Sequence, residues 1–302
     1  MQSLTGDATA LVISRWLSSQ TRALLDENGI GYLDLTGNVS FRLDRPGVVI
    51  RLQGSDRAPS PELRPSRSLR GEKAGALVRA LVDHAPPFRA TQLAEMTGLS
   101  LPYVSRLLET MTQEALIERH GRTIRHVDWP RLLRARASVV QLVSAGPVLA
   151  VAPQGPAALL NRLLRRGHIQ GEPRSPLLAV TGPALAERVS PLTGDISPLI
   201  LYLGGRGVPS ASHLGIDDFM AENAVIPVTG SGATTNVWIF KDPPSYVFKG
   251  LRTDYGFPAV ALSQCALDCL SGPGRMQSQG EAVLDAMIRT ETQWRRPAAE
   301  LP

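Results

Sequence analysis

The chain has 302 residues, 43% apolar and 20% charged, which suits two or three globular domains and excludes wholesale disorder. Two cysteines exclude a disulfide scaffold and a zinc finger, and no apolar run approaches the roughly 20 residues of a membrane helix. The formal charge of +5 sits in one stretch: residues 63–138 hold 13 Lys and Arg against 7 Asp and Glu, while the flanks carry −1 and 0.

The first nine residues hold no Lys or Arg and lead into no long apolar core, so the expectation is a cytoplasmic protein without a signal peptide. The spacing of Leu11, Trp16, Leu17, Leu24 and Leu25 predicts one amphipathic helix over residues 8–28, stopped by Asn28-Gly29. Strands are expected at 30–35, 38–43 and 47–52, joined by turns at Thr36-Gly37-Asn38 and Asp44-Arg45-Pro46-Gly47. Residues 1–54 thus read as a small helix-plus-β-meander unit. Residues 55–70 hold Pro59, Pro61 and Pro65 with Arg57, Arg64, Arg67 and Arg70. They read as a Pro/Arg-rich linker, either a solvated tether or an arm for a minor groove.

Residues 71–138 read as a winged helix-turn-helix. A first amphipathic helix is expected over 72–84, ended by Pro86-Pro87, and a second over 90–97. Gly98-Leu99-Ser100 supplies the turn, with Ser100 as the expected N-cap of a third helix over 101–115. There Val104, Leu107, Leu108 and Met111 share one face, which leaves Pro102, Tyr103, Ser105, Arg106 and Glu109 on the other. Small polar residues with one Arg near a helix N-terminus suit a recognition helix in a major groove. Two β-prone segments around Gly121 form the wing, carrying Arg119, His120, Arg122 and Arg125, and Asp128 caps a closing helix over 130–137. The excess charge coincides with this motif, so double-stranded DNA is the expected partner. Ser100, Pro102, Tyr103, Ser105, Arg106, Arg119, His120, Arg122 and Arg125 are the expected contact residues. A solvated basic face, or a winged helix used for protein contacts, is the competing reading.

Residues 139–302 read as a mixed α/β domain. Helices are expected at 156–166, 183–189, 258–270 and 280–289, and strands at 177–181, 198–203, 236–240 and 246–249. The whole is an α+β multidomain chain.

The strings GIGYLDLTGNVSFRL, LRGEKAGALVRALVDHAPPFRATQLAEMTGLSLPYVSRLLETM, VDWPRLL, LLAVTGPALAERVSP and LSQCALDCLSGPGR carry a resemblance. They resemble actinobacterial helix-turn-helix regulators similar to the AbiEi-type antitoxins of type IV toxin–antitoxin systems. The resemblance implies a bacterial repressor whose C-terminal α/β domain counters a nucleotidyltransferase-like toxin. Here about 70 residues precede the winged helix, where that family begins with it. A homodimer on a two-fold operator is expected from how such modules bind.

Enzyme chemistry finds little footing. Residues 30–54 loosely resemble a restriction-endonuclease core with Asp34 as its first acid. The strand that should carry the other ligands reads Val49-Ile50-Arg51-Leu52-Gln53, without carboxylate or Lys. Thr181-Gly182-Pro183-Ala184 resembles the turn of a nucleotidyltransferase, but the following strand lacks an Asp-x-Asp pair and Asp195 stands alone. The expectation there is a degenerate nucleotidyltransferase-like domain. Gly-rich stretches at 204–207 and 229–234 match no nucleotide loop, and the five His show no metal-ligand spacing. Cys265 and Cys269, four apart on a helix, read as buried thiols. A non-enzymatic protein with no cofactor or metal is expected; a nucleic-acid-processing enzyme is the alternative.

Overall fold

The computed structural model describes residues 10–14, 17–34, 36–43, 47–54, 69–165, 178–192, 194–204, 215–228 and 234–298. They belong to two units, residues 1–64 and 65–302. Most of the Pro/Arg-rich stretch (55–68), Trp16, the turn at 44–46 and the Gly-rich stretches at 205–207 and 229–233 lie outside the described residues, as do His168 and His213.

In the first unit the single helix expected over 8–28 is a strand followed by a helix. Leu11 and Ile13 alternate with Val12 and Ser14 to form strand β1 (Leu11–Ser14). Ser18 then has extended backbone, and its hydroxyl accepts from the Thr21 N–H at 3.0 Å, so helix α1 runs only over Ser19–Glu27. The β-branched pair Val12-Ile13 and the capping serine outweigh the loose leucine spacing. Strands β2 (Gly31–Asp34), β3 (Val39–Leu43) and β4 (Val48–Leu52) follow as an antiparallel meander, and β1 joins parallel to β2, with α1 as the crossover. The sheet order is β1-β2-β3-β4. Asp26 fixes α1 to one face, accepting from Tyr32 Oη at 3.4 Å and Ser40 Oγ at 2.7 Å.

The second unit opens on the helix-turn-helix. Helix α2 (Glu72–Asp83) leads through the two-residue strands β5 (His84–Ala85) and β6 (Phe88–Arg89) to α3 (Ala90–Thr97) and α4 (Leu101–Gln113). The wing strands are β7 (Ile117–His120) and β8 (Thr123–Val127), and helix α5 (Trp129–Ala137) closes the module. Asp128 Oδ1 accepts from the Arg131 N–H at 3.1 Å, the cap that the sequence predicts. Leu77, Leu81, Leu93, Leu108, Met111, Leu116 and Ile124 fill its core.

The remainder is α/β. Strand β9 (Val148–Val151) and helix α6 (Pro156–Arg165) lead to β10 (Leu178–Thr181), α7 (Pro183–Val189) and β11 (Leu199–Leu203). Then come α8 (Ile216–Glu222), β12 (Ile226–Pro227), β13 (Val237–Lys241), α9 (Leu262–Leu270), α10 (Met276–Arg289), α11 (Glu291–Trp294) and β14 (Arg296–Pro297). The sheet order is β10-β11-β13-β9-β12, with only β11 and β13 parallel. Three expectations are corrected, the first being the helix expected over 280–289, which begins four residues earlier at Met276. Residues 246–249 are not a strand; Ser245–Phe248 form a 3-10 turn whose Val247 and Phe248 pack inward. The helix expected over 258–270 begins at Leu262, because Pro258, Ala259 and Val260 are held extended by backbone bonds to Val180 and Arg252.

The winged helix and the α/β part share one core. Helix α9 packs against α2 and α5 as well as α10. Leu69, just ahead of α2, is fully buried, and its carbonyl accepts from Arg136 Nη1. Trp129 of α5 meets Trp294 of α11 edge to face at 5.0 Å. Arg295 donates to the carbonyls of Leu81, Val82 and His84, satisfying the last turn of α2.

Helices α9 and α10 touch backbone to backbone at Gly280. A Cβ there would stand 2.7 Å from Leu270 N and 3.1 Å from the Cys269 carbonyl carbon. Ala in place of Gly ordinarily favours a helix by about 1 kcal/mol. Here Gly280→Ala should instead destabilise by about 1–3 kcal/mol, because backbone rather than a flexible side chain must move. Urea unfolding with a higher midpoint for the variant would overturn this.

Candidate nucleic-acid interface

Gly98 has φ +68°, a left-handed turn that lets α4 cross α3. Ser100 stands at the N-cap of α4 with extended backbone, yet its side chain makes no capping bond. The reason is Pro102, which offers no N–H at the second helical position, while Tyr103 N–H is taken by the Ser100 carbonyl at 3.0 Å. The expected cap is therefore a free, exposed hydroxyl at the helix N-terminus.

Along α4 the predicted faces separate as expected. Val104, Leu107, Leu108 and Met111 are buried, and Pro102, Ser105, Arg106 and Glu109 are exposed. Tyr103 is half-buried against the module itself, with the Lys73 ammonium 5.9 Å from its ring centre.

The wing is a three-stranded sheet, β6-β8-β7, with its turn at Gly121-Arg122. Four of its nearby side chains behave differently. His120, Arg122 and Arg125 are exposed, and the two arginines have no hydrogen-bonding or ionic partner among the described residues. Arg119 instead folds back onto α4, 3.4 Å from Glu109, and its Nε is buried without a partner. A bulge between Glu118 and Arg119 turns that side chain inward.

The structure thus brings Ser100, Pro102, Ser105, Arg106, His120, Arg122 and Arg125 onto the outside of α4 and the wing. Tyr103 and Arg119 pack on their own module. Arg89, outside the expected contact set, stands beside the wing. It lies in β6, opposite Thr123 of the wing, exposed and immediately before α3.

Unpaired guanidinium groups on a helix N-terminal half and an adjoining hairpin are donors without acceptors. Each can fork onto phosphate or onto a guanine edge. The carboxylates weighed as catalytic are placed differently. Asp34 is buried and accepts from Thr36, Asn38 and Leu17. Asp195 is an exposed turn residue accepting from the Ser197 N–H at 2.8 Å. Cys265 and Cys269 are fully buried; their mutual hydrogen bond and burial push the Cys265 thiol well above its usual range. Among the described residues no group of three His, Cys, Asp or Glu could hold a metal ion, and no helix is long and apolar enough to cross a membrane.

Residues 74–135 match the Crp-like helix-turn-helix domain family. No curated protein matches the chain, and no solved structure does. The matched residues run from α2 into α5 and include the exposed side chains of α4 and the wing, so the likeness supports DNA binding and transcription regulation.

Proposed function

We propose that the protein is a sequence-specific regulator of transcription, a repressor that binds double-stranded DNA as a homodimer with α4 in the major groove. The observation that carries this reading is the set of unpartnered arginines, Arg106, Arg122 and Arg125, on α4 and the wing of a Crp-like module. Phosphate contacts supply affinity that falls with salt, and Arg106 with Ser105 supplies selection among bases. The protein acts by binding and not by catalysis. Residues 139–302 form a nucleotidyltransferase-like domain without the catalytic acid pair, and they engage either a small effector or a nucleotidyltransferase-like toxin. The antitoxin role follows the resemblance in the sequence.

The test is selection from a random duplex library at two salt concentrations. Enrichment of a motif with inverted half-sites is the expected result. On that motif Arg106→Ala should cost about 1–3 kcal/mol and relax preference at one position. Arg122→Ala should weaken all sequences alike and reduce the salt slope by about one. Selection that yields no motif, or two variants that bind like the parent, would sink the reading.

A further inference from the structure

Within the first unit, helix α1 covers the sheet face that carries Tyr32 and Ser40. The strand register decides what lies on the other face. Ile13, Leu33, Val39 and Leu52 form one row across all four strands. Leu11, Phe41 and Ile50 form a second row that closes over Gly31, where a Cβ would touch both Leu11 and Phe41 at 3.1–3.2 Å. No polar or charged side chain interrupts this face.

The unit is short of a core without it. Between residues 10 and 54, Leu17 and Tyr32 are the buried apolar side chains among the described residues. Ile13 is 69% exposed, Leu52 61%, Leu11 43% and Ile50 42%. A contiguous apolar face of this kind on a small unit marks a surface that is covered in the working protein.

We propose that this face docks on the same face of a second copy of the chain, sheet against sheet. The proposal rests on the dimer reading above and gives that dimer its interface. Three observations select a second copy. The exposed parts of the face amount to on the order of 500 Å² per copy, so a two-fold pairing removes on the order of 1,000 Å² from water, the lower edge of specific interfaces. By composition residues 1–9 and 55–68 offer three large apolar side chains, Met1, Leu4 and Leu63, against nine on the face. Among the described residues of 65–302 the exposed large apolar side chains are Leu101, Val143, Leu192, Ile226, Leu251 and Ile288, scattered over separate elements and loops, so no matching sheet face is offered there. An uncharged sheet face is self-complementary under a two-fold axis, and twisted sheets pack so at about 10 Å.

The test is sedimentation equilibrium of the full chain. The parent should be a dimer. Ile13→Glu combined with Leu52→Glu should weaken the dimer by more than about 100-fold, since four carboxylates would be buried unpaired in each pair. Val49→Glu is the control: Val49 is 68% exposed but lies on the opposite face, and it should leave the dimer intact. If the double variant fails to fold, Leu33→Cys replaces it. Both native thiols are buried, so a bismaleimide should link two copies through position 33 and not through Val49→Cys. A dimer indifferent to the face variants and not linked at position 33 overturns this interface and leaves the dimer reading standing. A monomeric parent overturns both.

Discussion

Replacing Arg79 with Ala should destabilise the second unit by about 3 kcal/mol, and the loss should be larger at pH 7.5 than at pH 5. Arg79 looks like an ordinary polar residue of an amphipathic helix, yet it is buried where α2 of the DNA-binding module meets α9. Its Nε and Nη2 donate to Asp83 Oδ2 at 3.0 and 2.9 Å, Nη1 to Gln264 Oε1 at 2.8 Å, and Nη2 to the Lys249 carbonyl at 3.1 Å. Ser263 Oγ donates to the other oxygen of Asp83, and Gln264 Nε2 donates to Asp268 at 2.7 Å. Removing the guanidinium strands a carboxylate and an amide oxygen, and the desolvation already suffered by both is no longer offset.

The pH dependence comes from Asp268, which also accepts from Thr181 Oγ1 at 2.6 Å and Tyr202 Oη at 3.0 Å. Burial pushes its carboxyl up to about 6, against the pull of those donors and of the Arg79 charge. A carboxyl with a raised pKa contributes most to stability below its ordinary range near 4, and that contribution is lost as pH rises through about 6. Without Arg79 the carboxyl rises further, so the ionised state costs more at neutral pH. Urea unfolding of Arg79→Ala at both pH values is the measurement. A loss below 1 kcal/mol, or one equal at the two pH values, would show that this network does not hold the helix-turn-helix to the α/β core.

What was legible in the sequence was whatever obeys a local period or a strong punctuation. Helices α3 and α7 were readable to their end residues because Gly98 closes the first and Gly182-Pro183 opens the second. The buried face of α4 followed from its 3–4 spacing. Several misses have their structure set by a partner elsewhere in the chain, which no local period reports. Strand β1 exists because Gly31–Asp34 lies beside it, and β5 because Arg296-Pro297 does. The extended segment before α9 is held by Val180 and Arg252. In the candidate interface, composition identified the charged side chains but not their directions. Arg119 and Tyr103 satisfy every sequence criterion for contact, and both are turned to their own module by Glu109 and Lys73. Arg79 and Gly75 of α2 are invisible for the same reason, since α9 and Tyr246 bury the side of the helix that a two-faced pattern assigns to water.

In the first unit, Asp34→Ala should unfold residues 10–54 selectively, at a cost of about 2–4 kcal/mol. Asp34 ends β2 and ties four pieces of chain together. It accepts from the N–H groups of Leu17 at 3.2 Å, Thr36 at 2.9 Å and Asn38 at 3.1 Å, and from Thr36 Oγ1 at 2.6 Å and Asn38 Nδ2 at 3.0 Å. Asn38 in turn takes Arg22 Nη1 and the Gly54 N–H on its own oxygen, which fastens the end of β4. Burial alone would raise this carboxyl, but the donors from Thr36, Asn38 and Leu17 outweigh it and hold it at about 2. A depressed pKa contributes stability that is present above the ordinary range near 4 and is lost as pH falls through about 2. The unit should therefore keep its fold at pH 4 and lose it in stronger acid, whereas Asp34→Ala should already exchange freely at neutral pH. Hydrogen exchange read by mass spectrometry separates the two units: residues 10–54 should lose protection and residues 69–165 should keep theirs. Unchanged protection at 10–54 would release Asp34 from this structural role and return it to consideration as a metal ligand.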